Sequence, residues 1–283
     1  MALEILEFGF MQRALIAGVA VAITTSVIGL FLVLRRNSLF GDALSHVAFG
    51  GIAVGLVANI YPLWSGLALA ILGALGITKL RQSARIPADA SVAIMLSSGL
   101  ALGILLVSAS GGFTLDLFSF LFGSILLVSV SDTLAILAMA GSILAMVIVL
   151  YKKLVYITFD EEQARVSGLP ISALNYLFVI LASVVAVVSM RLVGILLISA
   201  LIVIPNVTAL LFGRGFKKTA IISVAVSIFS VVAGIAISYA FNLAPAGTIV
   251  LVSTATFLAA LAARHAVKRQ QQQGQEQKQE IKA

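Results

Sequence analysis

The chain has 283 residues, of which 61% are hydrophobic and only 10% are charged, and its mean hydropathy is +1.16. A soluble domain has about 45–50% apolar and roughly 25% charged residues, so the composition excludes a soluble protein and indicates an integral membrane protein. No cysteine is present, which excludes disulfides and thiolate metal ligands. The net charge of +7 does not indicate nucleic acid, because the basic residues lie in short clusters between apolar runs.

A membrane-spanning helix needs about 20 mostly apolar residues. The segments that meet this requirement are residues 11–34, 42–60, 63–80, 89–108, 132–151, 171–190, 192–212, 219–241 and 246–264. They predict an all-α polytopic bundle of eight or nine spanning helices. We interpret a further apolar run, residues 113–128 with Gly123 near its centre, as a short re-entrant helix, because another full crossing would scatter the basic clusters over both sides.

The basic residues predict the orientation of the chain. With the N-terminus outside, only Arg13 and Arg191 of the 18 Lys and Arg residues fall on the outer side. Cytoplasmic segments carry an excess of Lys and Arg, so we expect the C-terminus in the cytoplasm. Glu4 and Glu7 argue against a cleavable signal peptide, whose first residues are basic.

Composition also divides the chain into two parts. Residues 1–265 are predicted to form the membrane domain. Residues 266–283 are polar and rich in Gln, Glu and Lys, and this low complexity predicts a disordered cytoplasmic tail.

Two titratable residues interrupt the apolar sequence near the start of the second span. Asp42 and His46 are four residues apart and therefore share one helix face. A carboxylate oxygen and a neutral imidazole nitrogen are ligands for zinc, manganese or ferrous ions. The alternative is structural: Asp42 as a helix N-cap and His46 bonded to a backbone carbonyl. The residues alone leave both interpretations open.

The span at residues 192–212 contains Pro205 followed by Asn206. Proline removes a backbone donor and bends a helix, and interrupted helices border the pathways of many transporters. We therefore regard Pro205 and Asn206 as candidate pathway residues.

A polar segment, "TFDEEQARVSGLP" at residues 158–170, separates the fifth and sixth spans on the predicted cytoplasmic side. Within it, Glu162, Ala164 and Gly168 form the pattern E-x-A-x-x-x-G. Permeases of ABC importers carry a similar pattern in a short cytoplasmic helix that fits a cleft of a separate ATPase subunit. The alternative is an ordinary helical loop that ends at a glycine.

Four blocks of the chain resemble the permease subunits of metal-ion ABC importers of the zinc and manganese uptake class. They are "LRRNSLFGDALSHVAFGGIAVG", "ADASVAIMLSSGLALGILLVS", "LDLFSFLFGSIL" and "VGILLISALIVIPNVTAL". They occur in the family's order, and the Gly-Asp-Ala-Leu-Ser-His block is the most specific. The chain departs from many relatives at Asn206, where they have alanine.

The resemblance implies an importer with two permease copies, two cytoplasmic ATPase subunits and an external metal-binding protein, in the plasma membrane of a prokaryote. It implies that Asp42 and His46 match the family's transient metal site, and that residues 159–169 form the ATPase-docking helix. No cofactor is implied besides the transported metal, for which zinc is expected before manganese. The chain has no phosphate-binding loop of the form G-x-x-x-x-G-K-[ST], so ATP hydrolysis is expected on the partner.

Two rival functions remain at this point. A gradient-driven carrier would show broken helices in both halves of the chain, but only one span contains a proline. An ABC permease for a siderophore or cobalamin would share the architecture, but the Asp42–His46 pair favours bare ions.

Overall fold

The computed structural model of the chain describes residues 9–84, 86–110, 112, 120–123, 129–195 and 198–280. The helices of this part are α1 (Gly9–Leu34), α2 (Phe40–Val57), α3 (Pro62–Ala84), α4 (Ala88–Ala109), α5 (Val130–Phe159), α6 (Glu161–Val166), α7 (Ile171–Val193), α8 (Ile198–Leu210), α9 (Phe216–Phe241) and α10 (Pro245–Glu280). Eight of them, all except α6 and α8, are long and apolar enough to cross a membrane. The predicted all-α membrane bundle is confirmed.

Helices α1 and α2 occupy the centre of the bundle. In each, 72% of the most apolar stretch is buried, against 22% for α10. Helix α2 packs between α3, α4 and α7, whereas α1 packs against α5, α8 and α9. Because α2 is enclosed, polar groups on it are shielded from lipid hydrocarbon, where they would be costly.

The predicted span at residues 192–212 differs from the structure in its helical extent. Helix α7 ends at Val193, and Gly194 has φ 77° and ψ 162°, a conformation that is almost restricted to glycine. Helix α8 has only 13 residues, which at about 1.5 Å per residue is shorter than the roughly 30 Å hydrocarbon core. A hydropathy pattern does not register this break, because glycine interrupts the run without adding polarity.

The segment between α7 and α9 nevertheless crosses the bundle. Asn175, in the first turns of α7, accepts a hydrogen bond from Arg35, which directly follows α1. Phe216, which begins α9, packs on Phe31 near the same end of α1, with 5.2 Å between ring centroids. The chain therefore leaves this end of the bundle along α7 and returns to it before α9. The short α8 forms part of a ninth crossing.

The predicted re-entrant run at residues 113–128 lies outside the described residues except at positions 120–123. There Gly123 has a φ of 72°, which agrees with a break at this glycine. The backbone of residues 121–123 lies directly against Gly194, where there is no room for a β-carbon. The re-entrant path itself stays a prediction.

Helix α10 continues to Glu280, although the sequence analysis expects disorder from residue 266. The difference has a physical reason. Gln, Glu and Lys are good helix formers, and extending an existing helix avoids the cost of nucleation.

Candidate metal site

Asp42 and His46 lie in the first two turns of α2. The helix begins after Leu39, whose side chain makes no capping hydrogen bond. Asp42 is therefore not the N-cap, contrary to the structural alternative. Asp42 instead lies within the first turn of the helix.

The two side chains point the same way and remain partly accessible. His46 Nε2 lies 3.9 Å from Asp42 Oδ1, and the side chains are 13% and 22% exposed. This separation is too long for a hydrogen bond, so the two side chains do not satisfy each other's hydrogen-bonding groups. It is also shorter than the sum of two ligand bonds of about 2.1 Å, so one ion can contact both atoms.

The other imidazole nitrogen is unsatisfied. His46 Nδ1 is buried and has no hydrogen-bond partner, so the backbone-carbonyl contact of the structural alternative is absent. A buried polar atom without a partner is costly, and such atoms point to an ion, a water molecule or a role in function. Because the nitrogen that faces Asp42 is Nε2, the unpartnered Nδ1 argues against the structural alternative and does not by itself identify a metal ligand.

Within the described residues, no group of three or more His, Cys, Asp or Glu side chains could hold a metal. Among side chains of these four types, this part of the chain therefore offers only Asp42 and His46 at this place.

Glycines on the neighbouring helices fix the position of His46. A methyl group on Gly99 of α4 would lie 2.6 Å from the Val47 nitrogen and 2.8 Å from the His46 carbonyl carbon. On the α3 side, Gly73 faces the Val47 side chain, and a methyl group there would lie 2.8 Å from it. Helix α2 is thus held by direct backbone contact at the residue that follows the imidazole.

Helix α8 contacts the start of α2, and its Asn206 is hydrogen-bonded within the bundle. A methyl group on Gly41 would lie 2.6 Å from Ile202 Cδ1, so α8 packs beside Asp42. Asn206, one turn further along, is fully buried. Its Nδ2 donates to the Ile202 carbonyl and its Oδ1 accepts from Ser223, each at 2.7 Å.

This buried amide joins α8 to α9 next to Pro205, which is also buried. Both ends of the Asn206 side chain are engaged within the bundle. The pathway role of Pro205 and Asn206 remains a prediction, and the contacts assign them a packing role.

The E-x-A-x-x-x-G pattern forms helix α6. Ala164 is fully buried against the ends of α5 and α7. Gly168 has a φ of 79°, and the N–H groups of Gly168 and Leu169 donate to the carbonyls of Arg165 and Ala164, which is a Schellman cap. The alanine and glycine thus shape the helix.

The solvent side of α6 carries the groups that can meet a partner. Glu162 is exposed, and Val166, four residues later on the same face, is 88% exposed. Glu162 and Val166 therefore lie on the face of α6 that points away from the bundle.

A cavity of about 770 Å³ opens beside α6, at the end of the bundle where α1 finishes. Its lining includes Arg35, Arg36, Arg81, Asp89 and Glu161. In the sequence, these arginines are marked only by the bias of basic residues towards one side of the membrane.

The chain was then compared with known proteins. The sequence profile of the ABC 3 transport family matches residues 7–264. The chain belongs to this family. It is therefore a transport subunit and not an enzyme, and the ATPase is a separate subunit.

Relatives cover almost the full length. The manganese transport system membrane protein MntC of Listeria innocua is 35% identical over 256 residues, which are 90% of this chain and 91% of that protein. The manganese import system permease protein ScaB of Streptococcus gordonii is 34% identical over 252 residues, 89% and 90% of the two chains. The matched family is an ABC transport family, which a gradient-driven carrier would not predict.

Solved structures agree with the fold. A chain of PsaBC from Streptococcus pneumoniae, in complex with Fab, superposes with a TM-score of 0.83 at 33% identity, covering 92% of this chain and 95% of that chain. An inward-facing putative metal-chelate type ABC transporter gives 0.68 at 16% identity, covering 89% and 86%. At that identity the second likeness shows the fold alone.

Sequence analysis did not single out Gly99 as part of the site. The only signal was its position among small residues, "SSGLALG", which favours close helix contact in general. Which residue each glycine contacts depends on the tertiary structure and cannot be inferred from the local sequence.

Replacing Gly99 with alanine tests whether close packing of α4 against α2 fixes the position of His46. The added methyl group would push α2 away at His46–Val47, and overpacking of this kind costs about 1–3 kcal/mol. We expect a lower midpoint of thermal unfolding in detergent and slower metal uptake, with both ligands intact. Gly76→Ala in α3, where a methyl group meets open space, is the matched control. Equal unfolding midpoints and equal uptake rates in the two variants would contradict this role of Gly99.

Proposed function

We propose that the chain is the membrane-spanning permease of an ATP-driven importer of divalent metal ions, with manganese as the preferred cargo. The observation that carries this proposal is the Asp42–His46 pair, which presents an oxygen and a nitrogen within 3.9 Å on an enclosed helix. Family membership supplies the transport class, and the two relatives named for manganese supply the expected ion.

Donor chemistry supports manganese over the zinc that the sequence analysis preferred. Structural and catalytic zinc sites commonly use three or four protein ligands, often thiolate or imidazole. Carboxylate and water oxygens suit manganese. The Asp42–His46 pair contains no thiolate, and one of its two donors is a carboxylate oxygen, so its donor types fit the harder ion, manganese.

Two copies of the permease would complete the pathway. A metal ion that passes between two chains would meet Asp42 and His46 from each, which gives four protein ligands on a shared axis. Incomplete coordination from each chain also favours release, which a transport site requires. An external metal-binding protein would deliver the ion.

Transport would proceed by alternating access and without a covalent step. Two cytoplasmic ATPase subunits would hold α6, so that their closure on ATP moves this end of the bundle. Asp42 and His46 would hold the ion while access changes sides. Protonated imidazole cannot ligate a metal, so uptake should weaken on acidification.

The proposed location is the plasma membrane of a prokaryote, with the N-terminus outside and the C-terminus in the cytoplasm. The support is the bias of basic residues together with the nine crossings. Arg35, Phe216 and α6 then share the cytoplasmic end.

The ligand pair is tested by Asp42→Asn and His46→Gln. Each change keeps the polarity and removes one metal ligand. We expect manganese uptake to fall by at least about tenfold, because even the supporting partners of metal ligands contribute about 10–100-fold. The double variant should be little worse than either single one, as residues that act as a unit show.

Uptake of radioactive manganese, with competing zinc or ferrous iron, is the measurement, alongside membrane expression. Asp89→Asn and His265→Gln are matched controls that should transport normally. Transport at the wild-type rate by His46→Gln would show that the pair has a structural role and does not bind the transported ion. A partner ATPase that lacks its phosphate-loop lysine should abolish uptake by the wild-type permease.

Orientation is tested by Gly274→Cys in this cysteine-free chain. We expect a membrane-impermeant maleimide to label the residue only after the cells are opened. Labelling of intact cells would refute a cytoplasmic C-terminus.

Docking is tested by Val166→Asp, which places a charge on the exposed face of α6. We expect loss of the ATPase during purification, since the apolar contact is replaced by a solvated carboxylate, while the permease still inserts. Val166→Ile is the control and should retain the ATPase. Normal co-purification of Val166→Asp would argue against docking through this face.

A further inference from the structure

Arg35 is a partly buried cation at the cytoplasmic end of α1. Its Nε donates to Thr158 Oγ1 and its Nη1 donates to Asn175 Oδ1, both at 3.0 Å. The guanidinium carbon lies 4.5 Å from the centroid of the Phe178 ring. The side chain therefore links the α1–α2 turn to the end of α5 and the start of α7, which flank α6.

These contacts leave the charge of Arg35 uncompensated. All three partners are neutral, and within the described part of the chain no carboxylate lies within 4.0 Å of the guanidinium. Nη2 is buried and has no hydrogen-bond partner. A buried cation is normally paired with a carboxylate, so the arrangement lacks one acceptor that bears negative charge.

The carboxylate that acts electrostatically on Arg35 is Glu161, the first residue of α6. Both side chains line the 770 Å³ cavity. Burial lowers the pKa of Arg35, and the negative charge of Glu161 partly opposes this effect, so the carboxylate is already within electrostatic range. The other charged groups that line the cavity are Arg36, Arg81 and Asp89.

Glu161 is held only by a replaceable contact. Its Oε1 lies 3.5 Å from Arg165 Nη2, and these side chains are 51% and 72% exposed. An exposed ion pair of this kind contributes little to stability. Transfer of the carboxylate to Arg35 would exchange a weak surface pair for a charge-assisted hydrogen bond in a buried setting, which is the stronger kind.

We propose that Arg35 is a positioning residue whose Nη2 receives the Glu161 carboxylate in one state of the transport cycle. The pair would connect α6 to the five-residue turn that leads into α2, and thus to Asp42 and His46. A displacement of α6 would then be transmitted to Asp42 and His46 through the contact between Glu161 and Arg35. This inference rests on the proposed function, because only an α6 that moves with an ATPase needs such a link.

The test uses the permease–ATPase complex in proteoliposomes and measures manganese transported per ATP hydrolysed. Glu161→Gln and Arg35→Gln should each lower this ratio about fivefold or more, the lower range of typical coupling between sites. The double variant should equal the single ones. ATPase co-purification is measured in parallel, so that a lower ratio in an assembled complex is distinguished from loss of the ATPase.

Two matched controls separate the pair from its neighbours. Arg165→Gln removes the surface partner of Glu161 and should leave the ratio at the wild-type value. Arg36→Gln removes the same charge from the same turn at an exposed side chain and should also transport normally. The exchange Arg35→Glu with Glu161→Arg should recover part of the loss.

Wild-type coupling in Glu161→Gln would overturn the proposal, whatever Arg35→Gln does. A defect confined to Arg35→Gln would mean that its unpaired donor serves another anion, such as a lipid or inorganic phosphate. If Arg35→Gln does not assemble, Glu161→Gln still decides, because the Glu161 side chain is exposed and substitutions of exposed side chains usually change stability little. Uptake that continues with a hydrolysis-deficient ATPase would instead defeat the proposed function itself.

Discussion

The position of the Asp42–His46 pair depends on the approach of α4 to α2 at Gly99. Helices in lipid gain no hydrophobic stabilisation from each other, so their association relies on close packing and on polar contacts. Gly99 meets the backbone of His46 and Val47 directly. Burying α2 in this way lets a carboxylate and an imidazole exist inside an apolar bundle without facing lipid.

The fold was predictable from the sequence wherever hydropathy alone decides. Length and polarity of the apolar runs gave eight spanning helices correctly. The run at residues 192–212 was not predictable in the same way, because Gly194 is set by contact with residues 121–123, far away in sequence. Helix α10 was underestimated, since a polar composition says little about whether an existing helix simply continues.

The candidate site was also predictable only in part. The spacing of Asp42 and His46 fixed their common face, and the sequence alone could not exclude a cap and a backbone contact. Only tertiary structure shows that Leu39 precedes the helix and that His46 Nδ1 has no partner. Likewise, the pattern at α6 was visible, but its division into a buried Ala164, a capping Gly168 and an exposed Glu162 required the surrounding helices.

Glycine packing has a mechanical consequence for α2, α3 and α4. Gly51 of α2 meets the backbone of Ser65 and Gly66 in α3, just as Gly99 meets α2. Contacts between backbones have no side-chain rotamers that could absorb a displacement. A small shift of α2, α3 or α4 relative to the other two helices therefore meets immediate steric resistance. The three helices should therefore move as one stiff body, and deformation must collect at its borders, where flexible side chains separate the helices.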